Sequence, residues 1–308
     1  MTAGDMGWWV THFREESARL RSAALRSVAA CLALSLLCAL PIEGHEAIEK
    51  QIQDLNRRIA ETPQDAVLFL RRGELHRVHE DWDAAAADYQ TARRLDPGLL
   101  AVDLCLGRML FEQGRPRQAR EALDRFLSRR PEDVEGLRLR GRVLARLGRP
   151  ADAVADYRRA LAIAPLGTMD PDAYLELAEV LSASSDRKGR EAALQALDRG
   201  MKDLGPIVSL ALPAVDLEVD LGRFEDALKR LDAATPKSGR RESWLLKRGE
   251  ILQRAGRTQE AEGAYREVLK QVAALPEGRR ASPAVQEIES QARSRLAEAS
   301  KSLREESR

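Results

Sequence analysis

The sequence predicts an all-α fold: an α-α superhelical solenoid of helix-turn-helix repeats with N- and C-terminal capping helices. Three observations predict it. Five positions recur at a spacing of 34 residues over three consecutive units. The composition is dominated by Ala, Leu, Arg and Glu, all good helix formers. And the recurring unit divides at a Gly-x-Pro turn into two stretches of helical periodicity.

The recurrence is the strongest of the three. Gly73, Gly107 and Gly141 are in register, as are Ala85, Ala119 and Ala153. Tyr89, Leu123 and Tyr157 follow, then Ala92, Phe126 and Ala160, then Pro97, Pro131 and Pro165. In the third unit Val134, Leu137, Leu144 and Leu147 give the first helix its apolar face. Gly148 supplies a positive φ and Pro150 opens the second helix, which Pro165 stops. Small residues at Gly141 and Ala153 let the two helices approach, and Tyr157 fills the space beside them. Each unit leaves an apolar face uncovered, so the units must stack.

This pattern resembles the tetratricopeptide repeat, with its small eighth residue, Ala at the twentieth, an aromatic near the twenty-fourth, Ala at the twenty-seventh and Pro at the thirty-second. Residues 66–99, 100–133 and 134–167 match closely. Three degenerate copies follow: 171–205, with about three extra residues expected in its turn between Ser182 and Gly189; 208–241, whose first helix holds Pro213, expected to distort it or mark its start; and one from Glu242, where Gly249, Gly256, Ala261 and Tyr265 keep register. About six repeats thus occupy 64–275 as one solenoid. Residues 45–63, with Ile48, Ile52, Leu55 and Ile59 on one stripe, read as a capping helix. Ser282 and Pro283 open a second cap over 282–306.

Residues 1–44 read differently. Arg14, Arg19, Arg21 and Arg26 precede an uncharged apolar run, Ser27 to Leu40, which Pro41 ends. This is the layout of a signal peptide; the run is short for a membrane span, which needs about 20 residues. The reading is an exported protein, periplasmic or secreted, with a retained N-terminal membrane anchor through residues 27–40 as the alternative. The true translation start can lie downstream of Met1. Beyond that segment only Cys105 remains, in an apolar stretch that makes it a core residue.

No catalytic constellation is present, so the chain reads as a non-enzyme without cofactor. His76 and His79 are one helical turn apart but lack a third ligand nearby, so no metal site is expected. A net charge of +1 argues against nucleic acid as a partner. The charge is nevertheless polarised: residues 100–165 hold 14 Arg against 9 acids, and residues 166–235 hold 8 basic against 14 acidic residues. In the resembled family the first helix of each repeat lines a concave groove through its second, fifth, ninth, twelfth and thirteenth positions. Carried over, these place Arg108, Phe111, Arg138, Arg142 and Arg146 on one wall and Glu179, Asp216 and Asp220 on the other. Arginine forks suit carboxylates. The resemblance therefore implies a scaffold or adaptor for a protein or peptide, in particular an acidic segment or a free C-terminus, with a bacterial envelope assembly as the expected setting. The alternative is a small-molecule or glycan-binding module associated with an envelope enzyme, which an aromatic content of 4% disfavours.

Overall fold

The computed structural model describes residues 42–235 and 241–306. Among them are fifteen α-helices and no strand, the all-α class that the periodicity predicts. The contacts gather the chain into two compact units, Met1–Leu95 and Asp96–Arg308. The leader or anchor expected over residues 1–44 lies, as far as residue 41, outside the described residues. No described helix is long and apolar enough to cross a membrane.

The first unit holds α1 (Ile42–Glu61), α2 (Ala66–Val78) and α3 (Trp82–Leu95). Helix α1 begins three residues ahead of His45 and packs on α2. Leu55 is buried there, with Ile48, Ile52 and Ile59 half-buried. The Asp65 carboxylate accepts the Val67 N–H and so caps α2. Helices α2 and α3 form a tight hairpin because position eight is glycine. A Cβ on Gly73 would stand 2.7 Å from the ring of Tyr89.

The second unit continues the pattern with α4 (Ala101–Glu112) and α5 (Pro116–Arg129), then α6 (Val134–Arg146) and α7 (Pro150–Ile163). Next come α8 (Pro171–Ser182) and α9 (Arg187–Leu204), α10 (Val208–Asp220) and α11 (Phe224–Ala234), and α12 (Glu242–Arg254) and α13 (Thr258–Ala273). The short α14 (Glu277–Arg280) leads into α15 (Pro283–Glu306), which packs against α13 and α12. Within this unit each second helix of a hairpin also touches the first helix that follows it. The apolar faces therefore merge into continuous clusters. One gathers Tyr157, Ala173, Tyr174, Leu177, Leu197 and Leu210. Another gathers Leu231, Leu246, Tyr265 and Val268 with Val285 and Ala292 of α15. Cys105 is buried in the first helix of its repeat.

Every hairpin turns through a left-handed residue fifteen places into its repeat. Four of these are glycines, Gly114, Gly148, Gly222 and Gly256, but Glu80 and Ser185 adopt the same conformation at φ 60° and 55°. The turn closes as a helix C-cap: the Arg149 N–H reaches back to the Leu144 carbonyl at 2.9 Å, and Gly148 to Ala145 at 3.1 Å.

Two expectations are revised. The fourth repeat does not lengthen its turn. Ser185 keeps the regular turn position, Asp186 caps Gly189 at 2.6 Å, and α9 starts on schedule. The extra residues instead add most of a helical turn ahead of Ala193. Pro213 lies inside α10, which runs unbroken from Val208 to Asp220; the proline costs that helix one N–H bond without ending it.

Ion pairs tie hairpins together where arginine stands at position seven. The Arg72 fork grips Asp88 through Nε at 2.9 Å and Nη2 at 2.6 Å, while Nη1 donates to Asn56. Arg140 repeats the arrangement on Asp156 at 2.7 and 2.8 Å and on Asp124 at 2.9 Å. Bidentate forks of this length are strong charge-assisted bonds.

Candidate binding face

Within the second unit the first helices lie side by side, α4 against α6, α6 against α8 and α8 against α10. The residues expected to line a groove are carried on them, and the packing brings half of those residues together. Arg142 on α6 stacks its guanidinium over the Phe111 ring of α4, 5.4 Å from its centroid, within range of a cation–π contact. Arg108 pairs with Glu135 across the same junction.

Arg138 and Arg142 converge on a residue the sequence reading did not single out, Glu176 of α8. Arg138 Nη2 lies 3.5 Å from Glu176 Oε2 and Arg142 Nε lies 3.4 Å from Oε1. The Tyr157 hydroxyl reaches the same carboxylate. Arg138 and Glu176 are 23% and 21% exposed at the side chain, while Arg142 keeps 50%. Burial raises the Glu176 pKa above the usual carboxylate value; the two arginines oppose that rise and Asp172 adds to it. Burial also pushes the Tyr157 phenol up, helped by the Glu176 charge and opposed by Arg142 and Arg138.

The remaining predicted residues stand apart from this cluster. Arg146 and Glu179 are exposed, and neither side chain forms an ion pair with another among the described residues. Asp216 pairs with Lys247, and Asp220 with Arg254 at 3.1 Å. The acids of α10 thus face cations from the following repeat. Among the described residues no group of three or more His, Cys, Asp or Glu could hold a metal ion. A separate concavity of about 680 Å³ lies between α9 and α11, with Met201, Ile207 and Val208 beside the Arg230–Glu218 pair.

A signal for Glu176 was present in the sequence. Position five is leucine in every other repeat (Leu70, Leu104, Leu175, Leu212 and Leu246) but arginine at Arg138. Position six is a buried apolar residue at Cys105 and Leu139 and a glutamate at Glu176. Arg138 is a charge where every other repeat has leucine, whereas position six is charged elsewhere too, at Arg71 and Lys247; the unusual residue is the arginine, and Glu176 is the acid that packing sets against it.

A family model described as tetratricopeptide repeat matches residues 104–168 and 212–281. No curated protein sequence matches the chain significantly. Among solved structures, the C-terminal part of a TPR repeat-containing protein from Cytophaga hutchinsonii is similar at a TM-score of 0.58 and 14% identity, covering 74% of this chain and 91% of its own. PilW, described as a widely conserved type IV pilus biogenesis factor, is similar at 0.52 and 19% identity, over 72% and 97%. The Pseudomonas aeruginosa pilF protein is similar at 0.51 and 17% identity, over 74% and 98%. At these identities the likeness is one of fold. Repeat register, matched family model and helical architecture agree, and the chain is a tetratricopeptide-repeat protein.

Proposed function

We propose that this protein is a non-catalytic scaffold that binds a protein or peptide partner along its first helices, with the contact centred where the third repeat meets the fourth. The partner presents an acidic segment or a C-terminal carboxylate. One observation carries the reading: Arg138 and Arg142 stand together on this face beside Phe111, and Arg142 is half exposed. Paired guanidiniums offer fork geometry to a carboxylate, and the aromatic ring gives an apolar flank for the neighbouring residue. Arg146 extends the stripe by one helical turn, and the exposed Glu179 would orient the basic end of the same partner, Asp216 and Asp220 being engaged by Lys247 and Arg254. The basic flank and uncharged apolar run of residues 14–40 support an exported scaffold, and likeness of fold to a type IV pilus biogenesis factor supports an envelope assembly as its setting.

The test is fluorescence anisotropy with a dye-labelled hexaglutamate peptide carrying a free C-terminus. Reversing Arg142→Glu and Arg146→Glu is expected to weaken binding by at least about tenfold, the scale of losing one charge-assisted hydrogen bond. Equal affinity of the reversed and native chains would remove the reading. Export is tested by fusing residues 1–44 to alkaline phosphatase, which is active only after export; an inactive fusion in a bacterial host argues against it.

A further inference from the structure

The pairing of Glu176 with Arg138 and Arg142 differs from the structural ion pairs of the same chain. Arg140, two residues along α6 from Arg138, holds Asp156 through two bonds of 2.7 and 2.8 Å. Arg230 holds the buried Glu218 through bonds of 2.6 to 3.0 Å. The contacts to Glu176, at 3.4 and 3.5 Å, are longer than charge-assisted hydrogen bonds. Arg138 Nε and Glu176 Oε2 are both buried and have no hydrogen-bond partner. Arg138 stands where every other repeat has leucine and Glu176 where the preceding repeat buries Leu139, yet the two meet without completing each other's hydrogen bonds. Burial holds the Glu176 carboxyl above its ordinary range despite two adjacent cations, so its ionised form is poorly compensated where it lies.

We infer that Glu176 is a resident competitor for the ligand carboxylate: it occupies the Arg138–Arg142 fork in the free protein and is displaced by an acidic partner. This inference rests on the carboxylate-binding reading above. Glu176 is then the residue that sets selectivity. A single ligand carboxylate only exchanges for the resident one, whereas a segment with adjacent carboxylates satisfies both guanidiniums and supplies the acceptors that Arg138 Nε lacks. The resident carboxylate also keeps the fork from standing empty and buried, which would cost more than the loose pairing does.

The experiment uses the full chain and two dye-labelled probes, hexaglutamate and a hexaalanine peptide with a free C-terminus. Glu176→Gln keeps the shape and removes the competing charge. It is expected to bind hexaglutamate about tenfold tighter than the native chain and to bind the hexaalanine carboxylate measurably where the native chain does not. Glu176→Ala, which leaves no acceptor, is expected to show the same gain, and adding Arg138→Leu to either variant is expected to abolish it. Circular dichroism of each variant confirms that the helices are kept. Equal affinity of native and Glu176→Gln chains for hexaglutamate, with binding still lost on Arg142→Glu and Arg146→Glu, overturns the competitor role and leaves the binding reading standing. Absence of hexaglutamate binding by every variant overturns both.

Discussion

Replacing Arg138 and Glu176 together by leucine gives the first position the residue every other repeat carries and the second the residue the preceding repeat buries as Leu139, and should stabilise the protein. Both side chains are about four-fifths buried, so the native pair carries most of the desolvation cost of two charges. Its contacts are too long to recover that cost in full. Exchange of a buried ion pair for apolar residues of similar volume is neutral or stabilising by about 1–4 kcal/mol. The loose geometry here places the double variant in the lower half of that range, with a gain of about 1–2 kcal/mol. Arg138→Leu alone leaves Glu176 with Arg142 as its one remaining cation and should cost about 1–3 kcal/mol. The two substitutions are therefore strongly non-additive: adding the glutamate substitution to Arg138→Leu should recover about 2–5 kcal/mol. Urea titration followed by circular dichroism reads this as midpoints: the double variant above native, Arg138→Leu below. A double variant less stable than native by more than about 1 kcal/mol would mean that the pair is a net stabilising element, and the argument from its geometry would fail. The same double variant should lose hexaglutamate binding, so that stability and binding move in opposite directions.

Three further outcomes follow from the geometry. Gly249→Ala places a methyl 2.4 Å from the Tyr265 ring; overpacking should outweigh the gain in helix propensity and lower stability by about 1–2 kcal/mol in urea titration. Glu80→Gly relieves a non-glycine residue at φ 60° and should raise the midpoint of thermal unfolding by a degree or more, since the left-handed conformation costs a side-chain-bearing residue about 1 kcal/mol. The Glu176 carboxyl has a folded pKa above its unfolded one, so the folded chain holds a proton that the unfolded chain has released. Its contribution is fully present below the unfolded pKa and is lost as pH rises through the folded value. Native stability should therefore fall relative to Glu176→Gln across that window, and a relative rise would contradict the assignment.

The repeat was legible because its core obeys hard steric rules. A glycine facing Tyr89, Leu123 or Tyr265 cannot become larger without a clash, so the spacing survives in the sixth repeat although Ala178 and Val215 replace it in the fourth and fifth. The turn of the fourth repeat was not legible in the same way. Ser185 takes the left-handed role that glycine fills in four other repeats, and its substitution hid the regular turn and made the extra residues look like loop. The candidate face was half legible. Helical spacing placed Arg138, Arg142 and Arg146 on one stripe, but the partner of the first two lies more than thirty residues on, in the next hairpin. Which acid meets which guanidinium depends on how α6 and α8 are set against each other, and that is decided by packing rather than by spacing along either helix.

The pairing of charges between successive first helices also bears on how fast a partner can arrive. Arg108 with Glu135, Asp216 with Lys247 and Asp220 with Arg254 form short-range dipoles. These particular charges therefore neutralise one another locally along this face instead of projecting outward. Beyond a screening length of about 8 Å in physiological salt, such a face exerts little pull. A partner would meet it by unguided collision, with an association rate near the unsteered 10⁵–10⁶ M⁻¹s⁻¹ range, roughly, and weakly dependent on salt. Discrimination among partners would then lie in how long each one stays.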